Sequence, residues 1–151
     1  MTINKWQKRQ DKDIYVKKAK EKGYVSRAAF KLIEIEKKYK LIIKSKCILD
    51  LGSSPGSWLQ VIKEINKKVK IDSFDILPLK INKLNINFNQ IDFQDYDFDL
   101  ITGKYDLILS DISPNSSGNK KMDHLRIATI IEKIILLIKK IMLKEGNFVF
   151  K

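Results

Sequence analysis

Three aspartates, Asp75, Asp92 and Asp111, and one glycine-rich turn carry most of the chemistry written in this sequence. In Leu49-Asp50-Leu51-Gly52-Ser53-Ser54-Pro55-Gly56-Ser57-Trp58 an apolar run ends in an acid and a glycine, a tight turn follows, and Trp58 starts a helix. Strand, glycine turn and helix in that order open a nucleotide-binding α/β unit. Gly52 and Gly56 let backbone approach a ligand with no Cβ in the way. Taken alone, the stretch fits an ordinary strand-to-helix turn equally well. Asp75 lies 23 positions after Gly52, where this architecture holds ribose hydroxyls. Asp92 is placed to accept from an adenine amino group, and Asp111 closes a further strand. Each acid alone is more often a cap or a solvated side chain; with the turn they describe an adenosine pocket. G-x-G-x-x-G is absent, which disfavours a nicotinamide dehydrogenase. G-x-x-x-x-G-K-[ST] is absent too, which excludes a P-loop kinase or ATPase.

The elements that must position these residues alternate. Apolar runs predict strands over 47–51, 69–76, 88–93, 105–112 and from 147 to the end. Helices are predicted over 27–39, 57–66 and 124–144, with 79–86 ambiguous and weakly helical. In the first helix Phe30 and Ile33 face inward, and Ser26 is its cap. In the last, Ile127, Ile130, Ile131, Ile134, Ile138 and Ile141 repeat at three and four residues. Asp123 is the expected cap there, and Gly146 the expected stop. Alternating strands and helices give a parallel sheet with right-handed crossovers, and such sheets bind ligands at the carboxyl ends of their strands. Pro55, Pro78 and Pro114 each follow a strand end, so the shaped loops share the edge that carries Asp50, Asp75, Asp92 and Asp111.

Composition narrows the class. The 151 residues form one domain, residues 23–151, behind a basic arm or helix at 1–22 in which Trp6 and Tyr15 sit among lysines. Basic residues interleaved with aromatics suit RNA; a solvated helix or frayed arm fits that stretch as well. The formal net charge is +12, which suits a polyanionic partner. Of 30 basic residues only Arg9, Arg27 and Arg126 are arginine, so part of that charge reflects a bias toward lysine, isoleucine and asparagine. No apolar run reaches the length of a membrane span, and residues 1–9 lack a secretory signal. One cysteine, Cys47, and one histidine, His124, argue against a disulfide and a zinc site. No metal is expected, and a cytoplasmic location is.

Four stretches taken together resemble the FtsJ/RrmJ family of RNA ribose 2′-O-methyltransferases. The glycine turn is similar to the family's S-adenosylmethionine motif, in which Gly52, Ser53, Ser54, Pro55, Gly56 and Trp58 are the implied cofactor residues. Ser26-Arg27-Ala28-Ala29-Phe30-Lys31-Leu32 resembles S-R-x-x-[FY]-K-L. Ser110-Asp111-Ile112-Ser113-Pro114-Asn115-Ser116-Ser117-Gly118 resembles S-D-[MIV]-[AS]-P-N-x-[ST]-G. Gly146-Asn147-Phe148-Val149-Phe150-Lys151 resembles G-G-x-F-[VL]-x-K, with Asn147 at the second glycine. Asp75 and Asp92 match the ribose and adenine contacts. The resemblance covers residues 24–151. It implies a Rossmann-like S-adenosylmethionine-dependent methyltransferase fold, with helices on both faces of the sheet. It also implies a Lys-Asp-Lys-Glu tetrad whose first three members are Lys31, Asp111 and Lys151. Asp111 also borders the cofactor. Lys151 is then the base that takes the proton of a ribose 2′-hydroxyl. A free lysine amine, with a pKa near 10.4, must be lowered for that role by burial or a neighbouring cation such as Lys31. Asp111 opposes the lowering but orients the amine. By resemblance the substrate is a uridine of 23S large-subunit ribosomal RNA, as naked RNA or within the subunit, and the protein is a monomer.

The sequence departs from the family at Lys151. The family's last two strands and its glutamate have no counterpart, so the expected sheet is C-terminally shortened. A terminal carboxylate beside Lys151 would raise the lysine's pKa and hinder it as a base. A fragment of a longer product and a shortened protein with weakened activity both fit. Two readings from other classes stand beside the enzyme. One is a non-catalytic RNA-binding or ribosome-assembly protein that keeps the cofactor pocket. The other is a small-molecule methyltransferase, against which the absent D-P-P-[YF] signature and the basic arm both argue.

Overall fold

A computed structural model describes residues 13–81, 84–99, 101–112 and 118–151. Residues 1–12, with Trp6 and the first lysines of the basic arm, and Ser113 to Ser117 of the third motif lie outside the described residues. Five strands form one parallel sheet in the order β3-β2-β1-β4-β5: β1 Cys47–Leu51, β2 Lys70–Phe74, β3 Asn87–Asn89, β4 Tyr105–Ser110 and β5 Met142–Phe150. The chain starts in the middle, steps outward to β3, then returns past β1 to β4. That reversal opens a crevice at the carboxyl ends of β1 and β4, the place where such sheets take ligands.

Side chains alternate across β1 and β4, and the alternation builds two cores. Ile48, Leu107 and Leu109 pack under helices α2 (Ala28–Tyr39) and α3 (Ser57–Ile65), against Leu32, Leu59 and Ile62. Leu49, Leu51 and Ile108 face the other way, onto Ile134, Ile138 and Ile141 of helix α4 (Lys120–Ile141) and onto Phe74, Phe93 and Phe98. The sheet is therefore covered on both faces, which is why its central strands read as unbroken apolar runs.

Several boundaries differ from the sequence expectation. The second, third and fourth strands are shorter than expected. The stretch around 79–86 forms no helix in its described residues. Helix α4 starts at Lys120, not 124, because Asn119 rather than Asp123 caps it: the Asn119 side chain accepts from the amides of Lys121 and Met122. It ends at Ile141, before Gly146, and runs directly into β5. The break between Tyr105↔Met142 and Leu107↔Asn147 takes up the extra residues as a bulge. In α2 the buried residues are Ala29, Leu32 and Glu36, and Ile33 packs against the same core as expected. Phe30 packs instead between Tyr15 and Tyr24, with ring centroids 5.9 and 6.0 Å away. Tyr15 belongs to helix α1 (Ile14–Glu21), capped by the Asp13 carboxylate, which also ion-pairs with Arg27.

Candidate active site

The glycine turn is locked by backbone bonds from β2. Gly52, at φ +82°, donates to the carbonyl of Phe74 at 2.9 Å, and Ser53 donates to the same oxygen at 3.2 Å. A Cβ at Gly52 would stand 2.8 Å from Ile112 Cγ1 and 3.0 Å from the Ile112 backbone. Only glycine lets these two strand ends lie so close. Gly56, at φ +112°, has the same constraint against Ile81, whose side-chain carbons lie 2.6–3.0 Å from such a Cβ. Asp75 braces the turn. One carboxylate oxygen accepts from the Ser54 amide and the other from the Leu77 amide, both at 2.8 Å. The Ser54 hydroxyl donates to the carbonyl of Pro78 at 3.0 Å, and the carbonyl of Pro55 accepts from the Lys80 amide at 3.0 Å. Asp92 ends the third-strand loop. It caps a short 3₁₀ turn by accepting from the Gln94 amide at 2.9 Å.

Trp58 holds this turn to the helix that carries Lys31. Its ring is buried in the core, and its indole N–H donates to the carbonyl of Ala28 at 2.9 Å. Its side chain therefore has no free polar atom to offer a ligand and works by positioning, while its backbone amide, second in α3, has no acceptor within the helix. The hydroxyl of Ser26 donates to that of Ser57 at 2.8 Å and accepts from the Ala28 amide at 3.3 Å, but the cap position of α2 is Arg27, whose side chain makes no cap bond, so the expected Ser26 cap is displaced by one residue. Gln60 grips the segment before α2, accepting from the Val25 amide and donating to the Gly23 carbonyl, each at 2.9 Å. Tyr24 donates to Glu64 at 2.6 Å; burial, this bond and the nearby carboxylate push its phenol up to about 12.

Asp111 and Lys151 meet. The Asp111 amide donates to the carbonyl of Leu51 at 3.2 Å, and the Lys151 amide donates to that of Ser110 at 3.0 Å. The first bond ties the end of β4 to β1 and the second ties the end of β5 to β4, which sets Asp111 and Lys151 side by side. The Lys151 ammonium then donates to both Asp111 carboxylate oxygens, at 3.0 and 3.3 Å. The pair is partly open, with the aspartate side chain 25% and the lysine 45% exposed. Lys31 is not joined to it by any contact among the described residues; its amine lies 3.4 Å from Glu34, one turn along α2.

Sequence reasoning passed over one residue here. Asp50, at the carboxyl end of β1, is 0% exposed, and neither of its carboxylate oxygens has a partner. Ser53, the nearest candidate, donates to the backbone carbonyl of Asp50 at 3.0 Å instead. Burial drives the carboxyl up to about 7, against an opposing contribution from Ser53, and the charges of Asp111 and Asp75 add to the rise. An acid in an otherwise apolar central strand was the available signal. Among the described residues, the buried side-chain atoms without a partner are the two Asp50 oxygens, Asn89 Nδ2 and Ser110 Oγ. All belong to the carboxyl-end halves of β1, β3 and β4. An unpaired buried polar group costs about 1–3 kcal/mol. Collecting all of them at one sheet edge marks that edge as the place where a polar, partly cationic ligand completes the structure.

The fold and this edge define a Rossmann-like α/β domain built to hold a nucleoside-bearing ligand over the ends of β1 and β4. A family model for FtsJ-like methyltransferases matches residues 24–151. Ribosomal RNA large subunit methyltransferase E of Coxiella burnetii is 38% identical over 163 residues, covering 100% of this chain and 76% of its own. The protein of that name from Rickettsia canadensis is 34% identical, covering 100% and 71%. A crystal structure of a ribosomal RNA methyltransferase from Plasmodium falciparum superimposes with a TM-score of 0.72 at 32% identity, over 84% of this chain and 77% of that one. The chain belongs to the FtsJ-like methyltransferase family.

Proposed function

We propose that this protein methylates a ribose 2′-oxygen of ribosomal RNA, at a uridine of the large-subunit 23S RNA, with S-adenosylmethionine as methyl donor. The relatives named above support the RNA. The observation that carries the chemistry is the Asp111–Lys151 pair at the mouth of the crevice, beside the orphaned Asp50 carboxylate. The residues fit the cofactor. Asp50 is an unpaired acceptor for its ammonium group, Asp75 would hold the ribose hydroxyls, and Asn89 and Asp92 would face the adenine. Gly52, Ser53, Ser54, Pro55 and Gly56 would form the floor.

When bound, the cofactor supplies a methyl group on a sulfonium, which leaves as a neutral thioether. The chain's own part is proton management and aim. The 2′-hydroxyl must lose its proton as its oxygen bonds to carbon. Lys151 in its neutral form accepts that proton, and the Asp111 carboxylate holds the amine in place and stabilises the ammonium that results. Lys31, one turn into α2, serves as the second cation once it leaves Glu34. The lysines at Lys17, Lys18, Lys20 and Lys22, on and just after α1, would lie against the RNA backbone, with Tyr15 beside them. Among the described residues no helix is long and apolar enough to cross a membrane. A cytoplasmic monomer working on ribosomal RNA or the large subunit fits this reading.

A second reading, RNA binding without transfer, draws on the separation of Lys31 from the Asp111–Lys151 pair. One experiment separates the two: transfer of labelled methyl from S-adenosylmethionine to ribosomal RNA and to large subunits, with Asp111→Ala beside the parent. Label on ribose that disappears in Asp111→Ala supports the enzyme. Cofactor and RNA binding with no label supports the second reading.

A further inference from the structure

The edge of the sheet opposite the active site has the reverse electrical character. At the amino ends of β1, β2 and β4 lie two overlapping hollows of about 560 and 520 Å³, which share Cys47, Lys68, Val69, Lys70 and Lys104. Six lysines line them: Lys46, Lys63, Lys67, Lys68, Lys70 and Lys104. Two of these are accounted for locally. Lys63 donates to the carbonyl of Val69 at 2.7 Å, and Lys104 ion-pairs with Asp72 and lies 4.9 Å from the centre of the Tyr105 ring. Lys46, Lys67, Lys68 and Lys70 have no ion pair among the described residues. Asp106, the other acid here, spends its carboxylate on the amides of Lys46 and Cys47.

The backbone makes this cluster rigid. Lys67 and Lys68 sit in the turn between α3 and β2. Lys70 opens β2, and its amide donates to the carbonyl of Lys46 at 3.0 Å. Lys70, Lys46 and Lys104 stand at the starts of the neighbouring strands β2, β1 and β4, each stepped by one residue from the next in the ladder. Like charges held this close on a stiff frame repel, and nothing in the fold requires them: all of Lys67, Lys68 and Lys70 are exposed. A lysine-rich composition would scatter charge evenly. Here the carboxyl edge gathers Asp50, Asp75, Asp92 and Asp111, and the hollows at the amino edge gather six lysines against two acids, Asp72 and Asp106.

We propose that this amino edge is a second binding surface, taking the phosphate backbone of the RNA substrate at a distance from the methyl-transfer crevice. The inference rests on the RNA reading above and adds a contact region to it. The two edges are separated by β1, whose five residues span about 17 Å, so a folded RNA can touch both. Phosphates supply what the lysines lack, a row of fixed anions, and their binding releases condensed counterions.

The test is binding of large-subunit ribosomal RNA, followed by fluorescence anisotropy from 50 to 300 mM KCl. The variants are Lys67→Gln/Lys68→Gln/Lys70→Gln and, as a charge-matched control, Lys37→Gln/Lys38→Gln/Lys40→Gln at the exposed end of α2. The amino-edge variant is expected to raise Kd at least tenfold and to flatten the slope of log K against log salt by about two, at roughly 0.7 for each phosphate no longer neutralised. The control should move neither as far. Methyl transfer at saturating RNA should keep its kcat while KM rises. Equal Kd and slope in parent and amino-edge variant overturn the proposal. So does an equal loss of affinity in the control, which would make the effect one of total charge, and so does a parent chain with no RNA affinity at 50 mM KCl. If the parent binds RNA through this edge but transfers no methyl, the surface stands and the catalytic reading falls.

Discussion

Replacing Asp50 by asparagine should remove a pH dependence from the stability of the cofactor-free protein. The Asp50 carboxyl is fully buried and unpartnered, and it titrates near 7 in the fold against 3.8 as a free side chain. A folded value above the unfolded one means that the fold holds a proton the unfolded chain gives up. Its stabilising effect is complete below about pH 4 and is lost as pH rises through 7. Three pH units at 1.36 kcal/mol each make the whole span about 4 kcal/mol. Between pH 5 and pH 8 the parent should lose about 2.5 kcal/mol through this group alone. For a chain of this size that moves Tm by roughly 5–10 °C. Asp50→Asn keeps the shape and cannot ionise, so its profile should lack that component. The other carboxylates titrate in both proteins and cancel.

The assay is urea unfolding followed by circular dichroism at pH 5, 6, 7 and 8 without cofactor. Parallel profiles for parent and variant would refute the reasoning, because they would mean that Asp50 is not held neutral by burial. The same residue gives a second readout. If its carboxylate receives the cofactor's ammonium, binding at pH 6 must release its proton, which calorimetry in buffers of different ionisation enthalpy detects. Asp50→Asn should then weaken S-adenosylmethionine binding about tenfold to a hundredfold, since a hydrogen bond to a charged group is worth about 1.5–3 kcal/mol. Undiminished affinity would remove Asp50 from the pocket.

Other substitutions probe the site at separate points. Lys151→Ala and Asp111→Ala should each abolish methyl transfer and leave cofactor affinity within a few-fold by calorimetry; turnover near the parent's in either would end its catalytic assignment. Asp92→Ala should weaken cofactor binding, and equal affinity would take it out of the adenine site. Gly52→Ala must place a Cβ 2.8 Å from Ile112 at φ +82°. It should cost about 2–4 kcal/mol of unfolding free energy and loosen the cofactor turn; a loss under 1 kcal/mol would show that the two strand ends can part freely.

What the sequence made legible was whatever repeats or punctuates. β1 was readable to the residue because Cys47 to Leu51 is an apolar run stopped by a glycine that the geometry requires. Helix α3 followed from the turn before it. The edges of β2, β3 and β4 were less clear, because a parallel strand ends where its ladder partner ends, and that partner is distant in sequence. The start of α4 was hidden because two residues, Asn119 and Asp123, both suit a cap; only the fold shows which side chain faces the free amides. The junction of α4 with β5 was hidden by a bulge that leaves no periodic trace. The motif residues Asp111 and Lys151 were visible as letters, yet their pairing depends on two inter-strand backbone bonds. Asp50 was passed over because its importance comes from lacking any partner, a property no local pattern encodes.

The distribution of unsatisfied groups says more about function than any one residue does. A fold that needed only stability would pair or discard a buried carboxylate in its central strand, and it would not gather four lysines with no ion pair among the described residues around two overlapping hollows. This chain does both, at opposite ends of the same strands. The acidic, desolvated end suits a small cation that must be held with fixed geometry, because a buried charge attracts strongly only at short range and in the absence of water. The basic, exposed end suits a large anion that must be gathered from solution, because exposed charges act at longer range and are tuned by salt. A sulfonium cofactor and an RNA chain are such a pair of ligands. On the proposal above, putting their charges at opposite edges keeps the phosphates from being drawn to the lysines beside the crevice alone, and keeps the acids of the crevice from repelling phosphates held at the far edge.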